Sequence, residues 1–218
     1  MDEKIINKKI VEVLYRDKIF FKSYIQDYLK RLLKNRLNTE EVFPYLINFL
    51  NENNLTPNKL LDFSDQINLE FNKQGLRNHN FPESNIYTPP EHLLIWTKLR
   101  SLINNYQGIW KDFNVLDKES YFHVNLMRIY PFVHNNELIS NLILSANLIK
   151  GLYPPVIFDN YKYEYYDCIK IGDSLKLKDI IIKIMDEERE YLINFYKKYY
   201  LFPENIPIEE IIMQKSNF

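Results

Sequence analysis

Four histidines, a single cysteine and one nine-residue turn hold the side chains of this chain best suited to chemistry. His79, His92, His123 and His134 stand at no metal-ligand spacing from one another or from Cys168, so the sequence predicts no metal site. One cysteine also rules out an intrachain disulfide, and its Tyr- and Ile-rich surroundings predict a buried structural thiol. No glycine-rich phosphate loop, nucleophile elbow or Cys-x-x-Cys pair occurs. The turn reads Tyr130-Pro131-Phe132-Val133-His134-Asn135-Asn136-Glu137-Leu138. An imidazole there is matched to proton transfer near neutral pH, whereas a phenol with a pKa of about 10 is a poor base. Asn135 suits a left-handed backbone, and Glu137 would meet the positive end of a following helix.

The elements that must position the turn follow from periodicity and caps. Residues 3–36 carry apolar positions at helical spacing, among them Ile10, Leu14, Phe20, Tyr24, Tyr28 and Leu32. Asn38 with Glu41 forms a capping box for a helix through Leu50, and Thr56-Pro57 joins an N-cap to a proline at the first helical position. Residues 72–90 read as a loop in which Asn80-Phe81 and Ile86-Tyr87 form the short strands of one hairpin. Thr88 with Glu91 starts the next helix, Gly108 ends it, and Asp117 caps the helix that runs to Ile129. After the turn a helix spans Asn136 to Lys150, with Asn136 available as its N-cap and Gly151 in the left-handed position past its end. Helices over Tyr163–Ile171 and Leu177–Tyr199 are split at Gly172-Asp173, and a short helix starts at Ile208. The predicted fold class is an all-α bundle with one small β-hairpin.

This frame resembles the core of Fic-family proteins (Fic/Doc, or Fido), whose active members transfer AMP from ATP to a hydroxyl on a target protein. In that family the turn reads His-Pro-Phe-x-Asp/Glu-Gly-Asn-Gly/Lys-Arg. The likeness extends to Leu55-Thr56-Pro57, to Gly75-Leu76-Arg77 before the segment ending Tyr87-Thr88-Pro89-Pro90, and to His123 seven residues before Tyr130. It continues in Gly151-Leu152-Tyr153-Pro154-Pro155 and in Tyr165-Tyr166, Ile169 and Gly172-Asp173. The resemblance implies a Fic-like domain over 55–200, an N-terminal helical extension over 1–54 and a C-terminal tail over 201–218. It also implies a target-docking flap that includes Phe81, Ile86 and Tyr87.

Position by position, the same resemblance shows what differs. Tyr130 stands where the family has its general-base histidine. His134 stands where an acidic residue holds Mg²⁺, a hard cation that imidazole serves poorly. Asn135 replaces a glycine and Asn136 matches the family asparagine; these two are the remaining nucleotide-contact positions. Glu137 replaces a glycine or lysine, Leu138 replaces the phosphate-binding arginine, and Asn141 stands where a second arginine is common. The family's regulatory Ser/Thr-x-x-x-Glu-Gly/Asn motif has no convincing copy. The expectation is a degenerate Fic protein, a pseudoenzyme with no cofactor and no metal, working through protein binding or regulation. The alternative is an active AMP transferase with an atypical site at Tyr130 or His134, using ATP with Mg.

Composition bounds the partners. The 218 residues carry 28 basic and 29 acidic side chains for a net charge of -1, which gives no general attraction to nucleic acid or anionic membrane. No apolar run approaches the roughly 20 residues that span a bilayer. The reading is of a cytoplasmic protein with a protein partner, or with a second copy of itself through residues 1–54; export by a signal-independent route would look the same.

Overall fold

Caps set where most of these helices begin. Asp17, Asn38, Thr56, Asn114 and Asp173 each accept a hydrogen bond from a backbone N–H two or three residues on. The computed structural model describes residues 3–34, 36–52, 54–71, 73–81, 87–203 and 206–215. Their helices are α1 (Glu3–Arg16), α2 (Lys18–Leu33), α3 (Thr39–Asn51), α4 (Pro57–Ile67) and α5 (Ile95–Gln107). Then follow α6 (Val115–Ile129), α7 (Asn136–Lys150), α8 (Lys162–Ile171), α9 (Ser174–Tyr199) and α10 (Ile208–Lys215).

Helix α6 packs against α5, α7, α8 and α9, and α3 closes over α7. From Ile139 to Ile149 every residue of α7 is buried, as expected of a helix surrounded on all sides. Ser145 Oγ inside it accepts from Tyr28 (2.8 Å) and from the Val156 N–H (3.2 Å), whereas the buried Ser140 Oγ and Asn141 Oδ1 have no hydrogen-bond partner. The core that includes Ile10, Tyr24 and Leu46 continues without a break into Leu99, Phe122 and Ile143. A partly buried ion pair pins α2 to α9, with Arg31 2.6 Å from Glu188, whose carboxylate also accepts from Tyr24 at 2.6 Å. Cys168 is buried, as its sequence context predicts.

Several sequence expectations need correction. Asp117 is not the N-cap of α6. Asn114 is, and Asp117 is the far member of that capping box, its N–H 3.0 Å from Asn114 Oδ1. Thr88 does not open α5, because Pro89 and Pro90 hold the chain extended; a 3-10 turn at His92–Leu94 comes first. Gly151 is not left-handed (φ -77); the left-handed residue is Leu152 (φ 63). Glycine at 151 answers to space instead, since a Cβ there would lie 2.8 Å from Val115 Cγ1.

The β-hairpin is not seen either. Among the described residues no strand forms, and Ile86 lies outside them. Side chains, not strand pairing, hold the ends of this segment: Asn80 Oδ1 accepts from the His92 N–H (2.7 Å), and the Tyr87 hydroxyl donates to the Arg128 carbonyl.

Candidate functional site

The turn between α6 and α7 is built by its own residues and by two straps. Tyr130 ends α6 with a left-handed backbone (φ 49), its N–H on the Leu126 carbonyl at 3.1 Å. Asn135 is also left-handed (φ 53), a conformation that asparagine takes more readily than most residues. Between them, the buried Asn136 side chain accepts from the Phe132 N–H (2.8 Å) and donates to the Phe132 carbonyl (2.7 Å). That pairing occupies the side chain, so Asn136 is the first helical residue and not the N-cap; Asn135 holds that place without a capping bond.

The first strap is Gly75–Arg77. Its backbone pairs with the turn through Arg77 N–H to Pro131 O (2.9 Å) and Val133 N–H to Gly75 O (3.2 Å). Gly75 needs to be glycine at φ 90, and Asp65 fixes it by accepting its N–H at 2.6 Å. Arg77 is 2% exposed, and its guanidinium donates to the carbonyls of Tyr130 (2.8 Å), His79 (2.8 Å) and Pro90. The second strap is the end of α4: Asn68, fully buried, donates to the His134 carbonyl and accepts from the Asn135 side chain, both at 3.1 Å.

The side chains that the turn presents are these. The Tyr130 ring meets Phe81 edge-on at 5.3 Å, and burial with the nearby Glu137 raises its pKa. Its phenol therefore stays protonated at neutral pH. His134 packs edge-on against Phe71 at 4.8 Å, and burial with Lys73 lowers its pKa, so its imidazole is neutral at pH 7. In the first turn of α7, Glu137 Oε2 accepts from the Tyr166 hydroxyl of α8 at 2.5 Å. Leu138 is half-buried against the core. Tyr87 stacks on the Arg128 guanidinium at 4.4 Å, and Arg128 in turn donates to the carbonyls of Ile169 (2.7 Å) and Lys170 (2.6 Å).

His123 belongs to the core beneath the turn. It is 1% exposed, 2.9 Å from the Tyr165 hydroxyl, and burial pushes its pKa down to about 3. The structure thus brings Tyr130, Phe81, Glu137 and Tyr166 around one mouth; His79 lies at its edge, its ring 5.3 Å from that of Phe81, and His92 is held by Asn80. Arg77 and Asn68 were not singled out as site residues from sequence, although the glycine two places before Arg77 is a signal; Asn68 carries none, because its role exists only in contact with residues 66 positions away. Among the described residues no group of three His, Cys, Asp or Glu side chains could hold a metal ion.

These features define a class: an all-helical domain whose central helix pair carries a turn strapped from outside. No family model matches the chain. A curated relative, Protein adenylyltransferase Fic of Aedes aegypti, is 24% identical over 99 residues, taking in 45% of this chain and 19% of the relative. One of the same name from Culex quinquefasciatus is 29% identical over 65 residues, taking in 29% of this chain and 13% of the relative. Among solved structures, a Fic domain containing signaling protein from Bacteroides thetaiotaomicron matches with a TM-score of 0.63 at 14% identity, over 89% of this chain and 95% of that one. Fic-1 from C. elegans matches with a TM-score of 0.57 at 11% identity, over 88% of this chain and 67% of that one. The chain has the fold of a Fic domain.

Proposed function

We propose that this chain is a Fic-fold protein that does not transfer AMP and acts by binding another protein. The observation that carries this reading is the Glu137–Tyr166 hydrogen bond in the first turn of α7. A helix N-terminus attracts anions through its free N–H groups and dipole. Here the first turn of α7 carries a carboxylate held by Tyr166, and like charge opposes a phosphate beside it. Leu138 adds no cation, and His134 offers imidazole where Mg²⁺ would need oxygen. The residues present do not fit a magnesium nucleotide.

The scaffold supports the binding half of the reading. The strap around Arg77 and the Tyr87–Arg128 stack hold an aromatic edge, Phe81 and Tyr87, beside the turn. These residues would form a face that meets a protein partner in the cytoplasm. Calorimetry with Mg-ATP up to about 1 mM should give no saturable heat, and labelled ATP should modify no protein of a cell lysate. Saturable Mg-ATP binding would overturn the reading.

One observation favours a second reading, an AMP transferase with an atypical site. His134 is neutral at pH 7, the state a general base requires. Labelling of a target that disappears in both His134→Ala and Tyr130→Phe would establish it.

A further inference from the structure

Three buried side-chain atoms have no hydrogen-bond partner among the described residues: His123 Nδ1, Ser140 Oγ and Asn141 Oδ1. His123 and Ser140 are each 1% exposed. A buried polar atom left unpaired costs stability, so native interiors pair nearly all of them, with protein or with ordered water. His123 and Ser140 are neighbours in space. The His123 imidazole of α6 lies beside the Ser140 backbone of α7, and its Nε2 is already engaged 2.9 Å from the Tyr165 hydroxyl of α8. Nδ1 is therefore the nitrogen left to face α7.

Counting hydrogens assigns the tautomer. With its pKa lowered to about 3, the imidazole is neutral at pH 7 and carries a single N–H. Tyr165 is wholly enclosed, burial keeps its phenol protonated, and its bond to His123 is the only one it makes among the described residues. If Nε2 carried the hydrogen, the Tyr165 O–H would have no acceptor and Nδ1 no donor. If Tyr165 donates to Nε2, only the N–H at Nδ1 is left over. The latter arrangement strands fewer groups. It leaves Nδ1–H and the Ser140 hydroxyl without partners at one contact between α6 and α7.

We propose that this contact is a binding site for one buried water molecule, which accepts from His123 Nδ1–H and bonds Ser140 Oγ. Water is the ligand that fits. It is small enough to be enclosed between helices, and unlike an ion it adds no charge to surroundings that already disfavour charge on His123. It also both accepts and donates, as an N–H and a hydroxyl together require. Asn141 Oδ1 stands one residue on along α7 and is not needed for this bridge. The site bears on the turn above it. Tyr165 joins α8 to His123, and the next residue, Tyr166, holds Glu137. A hydrated His123 thus helps to position the helix that reaches the mouth. The proposal does not depend on whether the α6–α7 turn binds nucleotide.

NMR of the full chain with isotope-labelled histidine tests it, the His123 ring being assigned by its loss in His123→Phe. The wild type at pH 7 should show a ring protonated at Nδ1, whose N–H gives a dipolar cross-peak to water. Ser140→Ala should abolish that cross-peak and lower the melting temperature by about 2–4 °C, because it takes a partner from the water. A wild-type ring protonated at Nε2 overturns the proposal. An Nδ1–H without a water cross-peak overturns it too, and a higher melting temperature in Ser140→Ala would then mark a dry contact with an unpaired hydroxyl. A water cross-peak that survives Ser140→Ala unchanged also overturns it, since other groups then hold the water.

Discussion

Glu119 is the one acidic residue of α6 that the core encloses, 3% exposed among α5, α6 and α7. Tyr106 donates to it at 2.6 Å and Asn147 at 2.7 Å, while Lys118 and Lys150 act from farther off. Burial outweighs these favourable contacts and raises its pKa from 4.5 to about 7. The unfolded chain releases this proton near pH 4.5, whereas the folded chain keeps it to about pH 7. Folding stability should therefore fall as pH rises through that window, by about 3 kcal/mol in all, and level off above it. Urea denaturation at pH 5 and pH 8 measures the slope, which Glu119→Gln should flatten; an unchanged slope would place the titration elsewhere. At this scale the sequence was legible where a residue acts on its own backbone. Asn135 is left-handed as its side chain suggests. Glu119, Asn68 and Arg77 were not legible, because each owes its role to partners that only the fold brings near.

At the scale of elements, caps were read correctly where they are local, as at Asn38 and Thr56. Errors came where a neighbour decides. The segment ending at Tyr87 looks like a hairpin by composition, yet bonds from the Arg77 guanidinium and the Tyr87 hydroxyl to backbone carbonyls hold its described ends, a competition that no alternation pattern records. Gly151 illustrates the same point. Its backbone (φ -77, ψ 3) suits alanine, but α7 and α6 approach so closely that the new methyl would meet Val115 at 2.8 Å. Gly151→Ala should cost about 1–3 kcal/mol by overpacking, and Val115→Ala in the same chain should recover most of it. Thermal unfolding of the single and double variants decides between crowding and backbone strain: no recovery in the double variant would refute crowding.

Across the whole molecule, phenols take on much of the work of joining distant helices. Tyr24 bonds Glu188, Tyr106 bonds Glu119, Tyr166 bonds Glu137 and Tyr191 bonds Asp27. Tyr24, Tyr28 and Tyr165 are wholly enclosed and Tyr15 is half-buried against the core, and burial holds each pKa above the ordinary 10.0. Unfolded chains ionise these groups first, so the stability they lend is complete below pH 10 and lost above it. Raising the pH should give phenolate absorbance in two stages, an exposed set first and a second set that appears only together with loss of far-ultraviolet ellipticity. A smooth single rise without unfolding would contradict this burial pattern. The all-helical architecture was legible from helical periodicity and from the Fic resemblance, whereas this network was not. Tyrosine composition announces aromatic content but not which carboxylate each hydroxyl will find.

The enclosure of α7 has one more consequence. Of its residues, Glu137 and Leu138 are half-buried, Lys150 is exposed, and everything between is enclosed. Substitution can thus drift at the mouth of the helix while its remainder stays under packing constraint. The instructions for folding and the instructions for chemistry occupy different turns of one helix, and a lineage can rewrite the second without erasing the first.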